Sequence, residues 1–318
     1  MIACLRVPRL EKSHAIYAVV AACDMTSACL KRAATIAAML SVLTSPTALA
    51  QVPETVTFDS ADVKVKLTGY LYLPDAKAFP APRPAIVMLH GRSGVYRSGA
   101  KRFDANSLAS RTTLWGKFWT ERGYLGLYVD TFGPRGYHRG FEAGTNDGRR
   151  PPDINEITLR PLDAYRGLAY LRSRSDVQKD RVFLQGWSNG GSAALSTMAE
   201  ATAAMEKSTR ENGFRAAIAV YPACTPVTKH YGASYRSYAP VLLLIGTEDE
   251  EVSFRNCEKL AHASRRGDVE LVRYEGATHS YDTPNPKRTS VAANVTATVD
   301  TQARAEAFFR KLLPPATP

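Results

Sequence analysis

Long apolar runs, clustered charge and cysteine are all scarce in this 318-residue chain. Basic residues outnumber acids 41 to 30, for a net charge of +11, yet no run of five or more cations occurs. Scattered cations argue against a nucleic-acid partner and leave a basic surface or a preference for anionic substrates. There is no H-E-x-x-H, no G-x-x-x-x-G-K and no cluster of Cys and His. No metal site and no cofactor are therefore expected. Internal repeats and disordered composition are also missing. The apolar fraction of 45% is ordinary for a globular protein with a large core.

An apolar stretch near the N-terminus, Ala33 to Leu43, is too short for a comfortable membrane span. It follows Lys31-Arg32 and precedes Ser45-Pro46 and Ala48-Leu49-Ala50. Basic pair, apolar core, helix breaker and A-x-A site are the order of a secretory signal peptide. Residues 1–50 are read as that signal, with cleavage near Ala50, export to periplasm or medium, and no stable membrane anchor. Met25 would begin a signal of ordinary length, so residues 1–24 look like an over-extended start. Removing 1–50 leaves 36 basic and 28 acidic residues, a net +8. Of five cysteines only Cys224 and Cys257 remain. In an exported chain they are a candidate bridge.

From residue 85 onward, apolar strand patterns alternate with helical ones. Strands are expected at Ala85–Leu89, Tyr124–Val129, Val182–Gln185, Ala216–Val220, Val241–Ile245 and Val269–Tyr274. Helices are expected at Thr113–Arg122, Ile157–Ser173, Gly190–Glu206, Ser253–Ser264 and Thr301–Leu313. Before them, Glu54–Phe58 and Val63–Leu73 alternate apolar and polar, as an antiparallel pair at a sheet edge does. The fold class is α/β: a mostly parallel sheet with antiparallel N-terminal strands and helices on both faces, in one domain over 51–318. Sites in such sheets lie beyond the carboxyl ends of the strands. That draws attention to 90–111, 130–156, 186–190, 221–239, 246–252 and 275–285.

One of these segments reads Gly186-Trp187-Ser188-Asn189-Gly190, which is G-x-S-x-G between a strand and a helix. A chance match is the competing reading, and the strand before and helix after weigh against it. The turn is so tight that side chains two residues either side of the serine would clash. In return the serine oxygen stands clear at a helix N-terminus, where negative charge is favoured. A serine hydroxyl needs a base, and the base needs an orienting acceptor. In this fold the chain order is Ser, acid, His. His279 follows the last strand and is the candidate base; His90, His138, His230 and His262 are placed less well. Asp249, three residues past Gly246, is the candidate acid, with Glu248 and Glu250 as runners-up. Two backbone N–H groups should receive the oxyanion: Asn189 after the nucleophile, and Arg92, or else Ser93, in the turn His90-Gly91-Arg92-Ser93-Gly94.

With these pieces in place, the chain resembles the α/β-hydrolase superfamily and, within it, the dienelactone hydrolase family. The resemblance rests on the His90-Gly91 turn, Gly123-Tyr124 leading to Asp130-Thr131-Phe132-Gly133-Pro134-Arg135-Gly136, the elbow, Gly246-Thr247-Glu248-Asp249 and His279. It implies the α/β-hydrolase fold and ester hydrolysis. Two departures stand out: family members proper carry cysteine where this chain has Ser188, and glutamate where it has Gly91. The Gly-Trp-Ser elbow is also similar, more locally, to that of bacterial polyester-degrading hydrolases.

The function expected is a secreted serine hydrolase of small-molecule carboxylic esters or lactones. A serine peptidase, a polyester hydrolase and a non-catalytic binding protein on the same fold are the alternatives. Tyr96, Arg135, Tyr137 and Trp187 are candidates to line the substrate cleft. Arg92, Arg97, Arg139 and His138 lie in the same loops, and together the arginines suggest a polar or carboxylate-bearing ester. Oligomeric state is left open. A bridge between Cys224, after strand Ala216–Val220, and Cys257, in the helix after the Asp249 loop, would pin that loop against its neighbour.

Overall fold

Runs such as Ala85–Leu89 and Val241–Gly246 offer apolar side chains to both faces, so they are stable only as strands covered on both sides. In the computed structural model they form the middle of one sheet. The structure describes residues 52–61, 65–142, 150–200, 209–232, 235–264 and 268–313. The expected signal peptide, residues 1–50, lies outside the described residues. Among the described residues the strands are β1 (Glu54–Asp59), β2 (Lys66–Tyr72), β3 (Arg83–Leu89), β4 (Leu125–Asp130), β5 (Val177–Trp187), β6 (Ala217–Val220), β7 (Val241–Gly246) and β8 (Val269–Tyr274). The helices are α1 (Ser110–Thr120), α2 (Leu159–Ser173), α3 (Asn189–Met198), α4 (Cys224–Tyr231), α5 (Phe254–Ala263), α6 (Pro286–Thr289) and α7 (Ala292–Lys311).

The strands lie in the order β1-β2-β4-β3-β5-β6-β7-β8. β1 pairs antiparallel with β2, and β2 antiparallel with β4; every other pairing is parallel. This is the mostly parallel sheet with an antiparallel start that the alternation of patterns implied. From β3 the chain crosses one way to β4 and the other way to β5. That reversal opens a crevice at the carboxyl ends of β3 and β5. The register sets Leu89 beside Gly186. The turn that begins at His90 and the elbow at Ser188 therefore emerge side by side.

Several boundaries differ from expectation. α3 ends at Met198, and Ala199 instead makes a bridge with Ser237. β5 begins five residues early, at Val177, where the chain first meets Arg83 of β3. α7 begins nine residues early, at Ala292. Its buried stripe is Asn294, Ala297, Thr301, Ala305 and Phe309, at helical spacing. The first three are small or polar, so the stripe does not announce itself as an apolar period. α4, whose first residue is Cys224, lies in the segment 221–239, where no helix is expected from the sequence. Cys224 and Cys257 are both buried, with Cα atoms 5.1 Å apart and sulfurs at 1.96 Å.

Candidate active site

Ser188 sits between β5 and α3 with φ 52° and ψ −118°. A non-glycine residue at positive φ is strained, and the surroundings must enforce it. The flanking glycines do so. A Cβ on Gly186 would lie 2.0 Å from the Gly190 carbonyl oxygen, and one on Gly190 would lie 2.1 Å from that of Leu89. Neither position can hold a side chain without opening the turn. The Ser188 N–H donates to Val220 O of β6 (2.9 Å), which fixes the elbow to the next strand.

The Ser188 hydroxyl lies 3.0 Å from Nε2 of His279, and Nδ1 of His279 lies 2.8 Å from Oδ2 of Asp249. A carboxylate only accepts, so Nδ1 carries the proton and Nε2 is free to accept from the serine. The other Asp249 oxygen accepts the N–H groups of Glu251 and Val252, both at 2.9 Å. Those bonds aim Oδ2 at the histidine. The structure thus brings together Ser188, Asp249 and His279. Of the runner-up acids, Glu250 instead accepts the backbone N–H of His279 (2.8 Å) and pairs with Arg288. Glu248 is exposed.

The turn after β3 presses on the elbow. A Cβ on Gly91 would stand 3.6 Å from Ser188 Cβ. His90 is buried beneath it; its Nε2 accepts from Thr131 N–H (3.2 Å), so Nδ1–H donates to Gly91 O (2.7 Å). Burial holds this imidazole well below its ordinary pKa, and the charge of Arg160 adds to the effect. Asn189 is the first residue of α3, so its N–H has no acceptor within the helix. The Arg92 side chain crosses to the Asp249 loop and grips Glu251 with two hydrogen bonds, of 3.1 and 2.8 Å. Glu251 Oε2 is then 3.6 Å from His279 Nε2. Burial raises the Glu251 carboxyl, but Arg92 and His279 outweigh it and hold the group below its usual range.

Two expected lining residues do not face the crevice. Trp187 is buried under the elbow, stacked on Tyr128, with its indole N–H on Asp282 Oδ2 (2.9 Å). β5 alternation turns its side chain away from the serine side. Arg135 forks onto Asp163, at 2.9 and 3.0 Å, and onto Thr131 O, so it braces its own loop. Tyr137 is half-buried against Phe141. Tyr96 bonds Tyr70 (2.6 Å) and lines a cavity of about 420 Å³ with Phe103, His138, Arg97, Arg111 and Arg139. A second cavity, also about 420 Å³, lies against Glu251, Glu156, Ile157, Pro226 and Lys229.

Sequence reasoning missed the buried charges that support this arrangement. Asp282 accepts from Trp115, Trp187 and the Tyr221 hydroxyl and lies 3.4 Å from Arg111. Arg111 also donates to Thr283 and reaches the Gly91 turn. Arg160 and Glu156 hold the side chain of Asn189. The one available signal was position: Asp282 lies in the segment 275–285 that follows the last strand. Arg111 and Arg160 sit near the starts of helices, where an arginine ordinarily reads as solvated.

A model of the dienelactone hydrolase family matches residues 121–313. Among curated proteins, the quorum-quenching protein AidA of Acinetobacter baumannii (strain MDR-ZJ06) is 30% identical over 178 residues, which is 55% of this chain and 50% of that protein. The chain thus spans about half the length of this curated relative. Among solved structures, esterase 2 of Thermogutta terrifontis phosphorylated by paraoxon superposes with a TM-score of 0.57 at 19% identity, covering 84% of this chain and 98% of that one. A dienelactone hydrolase-like promiscuous phosphotriesterase from metagenomic libraries gives 0.59 at 16%, covering 83% and 100%. At such identities the two structures speak for the fold.

Proposed function

The chain belongs to the dienelactone hydrolase family, and from that premise we propose that it is a serine hydrolase cleaving carboxylic esters or lactones through an acyl-enzyme on Ser188. The observation that carries the proposal is the unbroken Asp249–His279–Ser188 hydrogen-bonded chain at a strained elbow. Nε2 of His279 takes the Ser188 proton as Oγ bonds to the ester carbon. The carbonyl oxygen becomes an oxyanion, received by the N–H groups of Asn189 and Arg92. On collapse the C–O bond breaks and His279 gives its proton to the leaving alkoxide. Water, deprotonated by the same nitrogen, then releases the acid and restores Ser188. Asp249 orients the ring and balances the imidazolium charge.

The substrate we favour is a small polar ester. Arg97 and Arg139 beside the Tyr96 cavity are the basis for favouring an acyl group bearing negative charge. The functional unit is the single domain 51–318, exported after cleavage near Ala50.

The test is a panel of p-nitrophenyl esters, with and without a carboxylate on the acyl chain, and a simple lactone, combined with fluorophosphonate labelling. Turnover and a single adduct on Ser188 by peptide mass are expected. Ser188→Ala should lose both, with turnover down by on the order of 10⁴ or more. Wild-type-like turnover in a folded Ser188→Ala protein would refute the proposal.

A further inference from the structure

The two proposed oxyanion amides come from separate places in the chain. Asn189 N–H belongs to the start of α3, and Arg92 N–H to the turn after β3. An oxyanion site works only if its donors stand at the right separation before the charge forms. What spans the two arms is a side chain from a third element, Arg160, the second residue of α2.

Arg160 has 0% exposure. One terminal nitrogen, Nη1, donates to Asn189 Oδ1 at 2.6 Å; the other, Nη2, donates to His90 O at 2.7 Å. Both acceptors are neutral, and each belongs to one arm. The guanidinium is a rigid plane, so its two terminal nitrogens fix the spacing between what they hold. The group carbon lies 5.0 Å from the centre of the Phe132 ring, which walls one side. Asn189 is held from its other end, since Nδ2 donates to Glu156 Oε2 (2.8 Å), and Glu156 in turn pairs with Arg150 (2.7 Å). Burying an arginine without direct ion pairing is unfavourable, and burial draws its pKa down to about 9 against the charges of Glu156 and Asp163. A helix arginine kept solely for stability would lie more favourably on the surface.

We infer that Arg160 is a positioning residue for catalysis, whose planar fork sets the separation of the two oxyanion-binding arms. This rests on the serine-hydrolase reading above. Arg160 touches neither substrate nor reacting atoms; it acts through the backbone of Asn189 and of the His90–Arg92 turn.

The experiment compares Arg160→Met, Arg160→Lys and Asn189→Ala with the wild type on p-nitrophenyl acetate, alongside affinity for an aryl trifluoromethyl ketone, whose hemiketal places an oxyanion in the site. In Arg160→Met, kcat should fall about 100-fold with KM within about threefold, and ketone affinity should fall by the same factor as kcat. Lysine keeps the charge and has three N–H donors, but on one freely rotating nitrogen that sets no fixed spacing between the arms, so Arg160→Lys should recover little. Should the methionine protein not fold, Asn189→Ala decides, because it releases one arm and keeps the 189 N–H; about a tenfold loss in kcat with a parallel loss in ketone affinity is expected. A folded Arg160→Met, or failing that Asn189→Ala, with kcat within threefold of wild type overturns the inference. So does a kcat loss without loss of ketone affinity, or full recovery in Arg160→Lys. Ser188→Ala separates the two readings. If it stays active, the serine-hydrolase proposal fails; if it is dead while Arg160→Met is not, only this inference fails.

Discussion

Asp249 has its two oxygens divided between two tasks, one for loop amides and one for His279. Asp249→Asn keeps the shape but presents an N–H to the histidine or to the amides. It should lower kcat by about 10⁴, whereas Glu250→Gln, which retains an oxygen for the His279 N–H, should lower it by less than about tenfold. The reverse order of sensitivity in steady-state kinetics would move the acid to Glu250. His90 carries a second expectation. Its folded pKa is depressed by burial, so the unfolded chain takes up the proton first. His90 thus contributes stability that is fully present above about pH 6.5 and is lost as pH falls below it, by up to about 1.4 kcal/mol per pH unit. Imidazole ¹⁵N spectra should show a neutral Nδ1–H ring persisting below pH 6; a ring half protonated at pH 6.5 would contradict the buried geometry. At this scale the sequence was readable where chemistry imposes a spacing, as in Gly186-Trp187-Ser188-Asn189-Gly190. It was not readable at Arg160 or Asp282, because a charged residue in a helix or loop ordinarily faces water.

Among elements, the strands were legible because two covered faces demand an unbroken apolar run, as in Val241–Gly246. β8 needed no revision at either end. The five longer helices were legible in existence more than in extent, and the short α4 and α6 were not legible. α7 hides its first turns because Asn294 and Thr301 are buried there by hydrogen bonds to Thr278 and Tyr281 rather than by apolar packing. Nothing in the residues after Met198 announces the end of α3. The pair Cys224–Cys257 joins α4 to α5 across 33 residues, and α5 directly follows the loop that carries Asp249. A bridge closing that loop is expected to stabilise by about 3 to 4 kcal/mol in the chain-entropy account. Replacing both cysteines by serine should show this loss in denaturant unfolding of oxidised protein, and the difference should vanish when both proteins are reduced. Two free thiols by titration of the oxidised protein would remove its basis.

For the whole molecule, the expected chain in service begins at Gln51. Protein recovered from the native host's periplasm or medium should have an intact mass starting there, and a full-length mass confined to the cytosol would contradict export. Such a chain keeps all three tryptophans of the sequence, and they share one place. The rings of Trp115 and Trp119 are 6.1 Å apart, and those of Trp115 and Trp187 are 5.4 Å apart. Trp115 and Trp187 both donate to a single oxygen of Asp282, and Trp187 directly precedes Ser188. The molecule's tryptophan emission therefore comes from one cluster, which runs from beneath the elbow at Trp187 to Trp119 against Phe309. Light from that cluster registers the packing around Asp282 and, through the contact of Trp119 with Phe309, the docking of α7. A melt followed by tryptophan fluorescence dates the loss of the site's floor, and only a second, backbone signal dates the loss of the rest.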